Sequence, residues 1–122
     1  MKLWIDDVRY PPTYYPWMAK YLPRFISRWL TPWTWAKTSR AAFDHILDCV
    51  HMGEPIEKIS FDHDLGGDDT TVEIADYIEE LAYEAKIGKI DWYIHSANPV
   101  GRKRLHQALE SADRYWDSIE SK

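Results

Sequence analysis

Cysteine is nearly missing from this sequence: Cys49 stands alone among 122 residues. One thiol cannot build an intrachain disulfide framework, and its scarcity fits a reducing cytoplasm. Long apolar runs are also missing, since no uncharged stretch approaches the roughly 18 residues a bilayer requires. The amino terminus turns acidic at Asp6, before the apolar core of a signal peptide would form. Secreted, membrane-spanning and disulfide-stapled classes are therefore not expected. The length suits one compact domain over residues 1–122, and 45% hydrophobic with 29% charged residues is a globular composition.

Acid is the third shortage, and it is local. From Val8 to Phe43 there is no Asp or Glu, while Arg9, Lys20, Arg24, Arg28, Lys37 and Arg40 contribute six positive charges. The remaining residues hold nine bases against twenty acids. Such segregation points to a surface that meets an anion, or to a basic face balancing an acidic one. Half of the 18 aromatic residues fall between Tyr10 and Trp35, interleaved with Pro11, Pro12, Pro16, Pro23 and Pro32. Prolines at that density forbid one long helix. An inserted aromatic and basic segment at residues 13–31 is expected to pack its rings on the rest of the fold. The same composition also suits a lid stacking on a nucleobase, a partner surface, or an amphipathic segment on an anionic membrane.

Lys2 to Ile5 is an apolar run cut off by Asp6-Asp7, as expected of a buried strand reaching the end of a sheet. Trp33 to Thr38 alternates bulky and small side chains and predicts a second strand. Ser39 is the expected cap of a helix carrying Ala42, Phe43, Ile46, Leu47 and Val50, stopped by Gly53. Ile59 to Phe61 predicts a third strand ending at Asp62. Thr70-x-x-Glu73 reads as a capping box ahead of Ile74, Ile78, Leu81 and Ala85, with Gly88 as the stop. Ile90 to His95 predicts a fourth strand, and Asn98-Pro99 opens a last helix with Leu105, Leu109, Ala112 and Trp116 inward.

Strands alternating with helices predict an α/β fold with a parallel sheet. The first and third strands are apolar throughout and belong in the centre; the fourth alternates and belongs at an edge. Order 2-1-3-4 satisfies both. Ligands of open parallel sheets bind at the carboxyl ends of the strands, so Asp6-Asp7, Asp62-His63-Asp64 and His95-Ser96-Ala97-Asn98 should converge. Asp6, Asp7 and Asp62 are the expected ligands of a divalent metal, Mg2+ or Mn2+, because crowded carboxylates need a counter-charge and hard cations prefer oxygen. Asp64 would add a ligand or hold a water. His63 and His95 suit general acid–base chemistry near neutral pH, or metal ligation favouring Mn2+, Fe2+ or Zn2+. Ser96, Asn98, Gly101 and the helix start, with Arg9 nearby, are the expected phosphate-binding groups.

Leu3-Trp4-Ile5-Asp6-Asp7-Val8-Arg9, Ser60-Phe61-Asp62-His63-Asp64-Leu65-Gly66 and His95-Ser96-Ala97-Asn98-Pro99-Val100-Gly101, in that order, resemble the cyclic-phosphate processing receiver domain. The resemblance spans the chain outside Thr13 to Thr31. It implies a flavodoxin-like three-layer sandwich, a truncated receiver of about four parallel strands, with Asp6, Asp7 and Asp62 as the metal-binding cluster. It further implies a metal-dependent phosphoesterase acting on a cyclic phosphate, a small ligand such as a cyclic nucleotide or RNA end, with no stable DNA binding. His63, His95 and Asp64 are the expected catalytic residues. An ordinary receiver continues to a fifth strand bearing a Lys, which has no counterpart here, and Thr71 stands where Gly would be expected. The alternatives are a signalling receiver phosphorylated on Asp62, and a nucleotide-binding module without turnover.

Overall fold

The computed structural model describes residues 1–11 and 33–120. The segment expected at residues 13–31, and with it the lid, lies outside the described residues. The elements run β1 (Lys2–Ile5), β2 (Thr34–Ala36), α1 (Ser39–Met52), β3 (Lys58–Phe61), α2 (Val72–Tyr83), β4 (Asp91–Ile94) and α3 (Pro99–Glu120). All strand pairs are parallel, and the order is β2-β1-β3-β4. This is the truncated flavodoxin-like receiver arrangement the sequence predicted.

The order follows from burial. Leu3, Ile5, Ile59 and Phe61 have no exposed surface, and the register Leu3↔Ile59 and Ile5↔Phe61 lines them up on one face. There they join one core cluster with Ala42, Ile46 and Cys49 of α1, Ile74, Ile78 and Leu81 of α2, and Leu105, Leu109 and Trp116 of α3. Burying a Leu- or Ile-sized side chain contributes about 1.5–3 kcal/mol, which is what commits β1 and β3 to the centre. The opposite face carries Trp4, Ser60 and Tyr93, which pair across β1, β3 and β4. On β4, Asp91 and Tyr93 are exposed while Trp92 and Ile94 are half-buried, the pattern of an edge.

Several boundaries differ from expectation for local reasons. Thr38, not Ser39, caps α1: its Oγ1 accepts from the Ala41 amide at 3.0 Å. Ser39 instead donates its hydroxyl and amide to the Asp69 carboxylate. The capping box at Thr70 does not form; α2 starts after Thr71, which makes no side-chain cap. Helix α2 also ends at Tyr83, short of Gly88, because Ala85 turns left-handed (φ 55°) and is exposed. The second and fourth strands are shorter than predicted, at 34–36 and 91–94. Gly53 does stop α1, in the left-handed conformation with φ 67° that favours glycine.

Candidate active site

Three strand ends deliver the chemistry. Asp6 follows β1, Asp62 follows β3 and His95 follows β4, and one ligand atom from each lies within 4.8 Å of the others. The sheet imposes this, since Asp62 N–H donates to the Ile5 carbonyl at 2.9 Å and His95 N–H to the Phe61 carbonyl at 2.9 Å. Each backbone bond fixes one donor's height relative to its neighbour.

Asp6 is buried, with 1% of its surface exposed. Its Oδ1 accepts the Val8 and Arg9 amides, both at 2.8 Å, and its Oδ2 lies 3.0 Å from His95 Nε2. The carboxylate thus closes the turn after β1 and holds the imidazole at once. His95 is further held by Ser60 Oγ, 2.8 Å from Nδ1, and by the Trp4 indole, stacked at 4.1 Å and 5°. Burial lowers the His95 pKa below its ordinary 6.5, with the Asp6 hydrogen bond and charge opposing that shift. Burial raises the Asp62 carboxyl above its ordinary range and the neighbouring Asp6 charge adds to this, against the His63 amide that donates to its Oδ1 at 2.8 Å. Two crowded carboxylates and a neutral imidazole form a donor set suited to a hard or borderline divalent cation.

Asp7 is not one of these three. Its Oδ2 sits beside Gly66, where a β-carbon would come within 3.5 Å. Gly66 has φ 93°, so a side chain there would be strained on backbone grounds as well.

His63 belongs to a neighbouring group. Its Nδ1 is 3.0 Å from Asp64 Oδ1, and the Asn98 amide Nδ2 lies 3.4 Å from Asp64 Oδ2 and 3.5 Å from that same Nδ1. The shorter carboxylate contact assigns the proton to Nδ1 and leaves Nε2 as the lone pair. Asn98 also opens α3, its Oδ1 accepting from the Gly101 amide at 3.2 Å and its own amide donating to Ser96 Oγ at 3.1 Å. The Gly101 amide is therefore engaged within the cap. What Gly101 supplies is room, because a β-carbon there would lie 2.3–2.7 Å from three His63 ring atoms. Arg9 is exposed, with Nη1 on the His95 carbonyl at 3.2 Å.

Sequence reasoning missed Ser60, Trp4 and Thr71. Thr71 is fully buried; its hydroxyl donates to the Asp62 carbonyl and its amide to the His63 carbonyl at 3.0 Å, bracing that strand end from below α2. Only the position of Thr71 at an expected glycine hinted at a role. His106 packs edge-on against Trp92 and reaches Glu110 at 3.6 Å, consistent with a packing residue. A cavity of about 240 Å3 beside β4, between residues 89–93 and Asp113, is lined by none of the candidate residues.

Among the described residues no helix is long and apolar enough to cross a membrane. Comparison with curated proteins and with solved structures produced no match. A family model described as the cyclic-phosphate processing receiver domain matches residues 1–111. With its strand order, its acidic strand ends and this match over nearly all its length, the chain belongs to the cyclic-phosphate processing receiver domain family.

Proposed function

We propose that the chain is a metal-dependent phosphoesterase that opens a cyclic phosphate on a small ligand, a cyclic nucleotide or an RNA end. The observation that carries this reading is the meeting of Asp6, Asp62 and His95 within 4.8 Å. These three residues would hold Mg2+ or Mn2+, with Asp7 close by. Such a cation, when bound, polarises phosphoryl oxygens and acidifies a coordinated water.

The remaining roles fall to groups around that centre. His63, with Nδ1–H held by Asp64, offers Nε2 to take a proton from the attacking water and return it to the leaving ester oxygen. One P–O bond forms to water and one ring P–O bond breaks, giving a phosphomonoester. Arg9 brings positive charge beside the His95 carbonyl, and the Asn98 side-chain amide lies against Asp64 and His63, where it would turn to a phosphate oxygen. Ser96 holds the Asn98 amide and so sets the start of α3. Val100, exposed in the first turn, adds a backbone N–H near the positive end of the helix dipole.

The test is turnover of a 2′,3′-cyclic nucleotide by the purified chain in Mg2+ or Mn2+, read as phosphomonoester by phosphorus NMR. Asp62→Ala and His95→Ala should each abolish it. Silence toward every cyclic phosphate tried, in Mg2+, Mn2+ and Zn2+ alike, overturns the reading. A stable phosphoryl adduct on Asp62 after incubation with a small phosphodonor would favour the signalling alternative.

A further inference from the structure

Ser60 occupies an unusual place for a hydroxyl. It lies in the middle of central strand β3, 2% exposed, between Ile59 and Phe61, and pairs in register with Trp4 and Tyr93. Buried hydroxyls are retained where they have a partner, and the partner here is Nδ1 of His95 at 2.8 Å. On the other side of the ring, Nε2 meets Asp6 Oδ2 at 3.0 Å. The stacked Trp4 indole, pinned by its own N–H on the Arg9 carbonyl at 2.9 Å, fixes the ring plane. The imidazole thus has both nitrogens engaged and little freedom to rotate.

Asp6 already accepts two amides and can only accept from Nε2, so the neutral ring carries its proton there. Nδ1 is then a lone pair, and the Ser60 hydroxyl donates to it. A hydroxyl also accepts. If a cation is to share Asp6 and take the Nε2 lone pair, the ring must move its proton to Nδ1, and Ser60 is placed to receive that N–H without moving. One proton leaves Nε2 and one arrives on Nδ1, exchanged through solvent with no net change. This part rests on the cation reading above.

We infer that Ser60 is the positioning residue of His95: its hydroxyl donates to Nδ1 while Asp6 holds the Nε2–H tautomer in the cation-free protein and, by turning from donor to acceptor, permits the Nδ1–H tautomer that cation ligation requires. A second-layer partner of this kind commonly changes metal affinity 10–100-fold when removed.

Nitrogen-15 NMR of the histidine rings at pH 8 tests it in the intact chain, first without metal and then with Zn2+ as a diamagnetic probe. Wild type should show His95 protonated on Nε2 alone, changing to Nδ1 when Zn2+ is added. Ser60→Thr and Ser60→Val are nearly the same size and strain the strand alike, so a purely structural role would affect both equally. The inference expects the Thr variant to keep the tautomer exchange and bind Zn2+ within a few-fold of wild type. The Val variant should bind at least 10-fold more weakly. His95 protonated on Nδ1 in the metal-free wild type, or equal Zn2+ affinities for the two variants, overturns it. A wild-type chain that binds no Zn2+ refutes the cation reading and the tautomer exchange with it, while a metal-free His95 Nδ1 signal that is the same in wild type and the Val variant still refutes the Ser60 hydrogen bond to the ring.

Discussion

The seat of His63 against the first turn of α3 can be tested by a change of sign. A β-carbon at Gly101 would lie 2.3, 2.5 and 2.7 Å from Cγ, Cδ2 and Nδ1 of His63, against an ordinary contact of 3.4 Å or more. Overpacking on that scale costs about 1–3 kcal/mol, whereas replacing a helical Gly by Ala gains up to about 1 kcal/mol. Gly101→Ala should therefore be neutral to about 2 kcal/mol destabilising. Once His63→Ala removes the ring, the same substitution should stabilise by about 0.5–1 kcal/mol. The coupling across the double-mutant cycle is then about 1–3 kcal/mol, or several degrees of Tm in a domain of this size. Urea unfolding followed by circular dichroism at pH 7.5 on the four proteins measures it. An equal gain from Gly101→Ala in both backgrounds would refute the seating of His63 on α3.

Asp62→Asn should raise the Tm of the metal-free protein at pH 7, because burial and the Asp6 charge disfavour the Asp62 carboxylate. A carboxyl whose pKa is raised on folding costs stability as pH climbs through the window above 3.8, so the Tm gap between variant and wild type should close as pH is lowered toward that value; a gap independent of pH contradicts this. Asp6→Ala should instead destabilise strongly, by about 3 kcal/mol or more in urea unfolding, since it strands the Val8 and Arg9 amides and the His95 ring near a buried position. Thr71→Val, which keeps the shape but removes the hydroxyl on the Asp62 carbonyl, should cost about 1–2 kcal/mol by the same measurement. The Cys49 thiol, 3% exposed and pushed up in pKa by burial and then by Glu54, should react with a disulfide reagent far more slowly in the folded protein than in urea.

The sheet was legible because a strand buried on both faces cannot hide its composition. Leu3-Trp4-Ile5 and Ile59-Ser60-Phe61 announce central strands, and the acids that end them mark where burial stops. Asp6, Asp62 and His95 could be brought together on paper because parallel strands put their carboxyl ends at one edge. The helix ends were less legible. Thr38 and Ser39, and again Thr70 and Thr71, are chemically equivalent caps one residue apart, and tertiary demand decides between them: Asp69 claims Ser39, and the Asp62 carbonyl claims Thr71. Ser60 was invisible for the same reason, since a small polar residue in a strand reveals nothing until the strand beside it supplies an imidazole. Gly101 also shows what a sequence hides, since the close approach of the His63 ring to its α-carbon comes from a segment remote in sequence.

Positions 6, 62 and 95 have no reason to meet in the unfolded chain; only the folded parallel sheet brings them together. Whatever the trio binds, it binds the folded form alone, so occupancy and folding are linked by mass action and ligand at a hundred times its Kd would add about 2.7 kcal/mol to unfolding. A substitution deep in the α2–α3 contact, touching nothing a ligand touches, would then weaken apparent affinity simply by lowering the folded population, and binding data from variants acquire meaning once divided by the fraction of molecules that are folded.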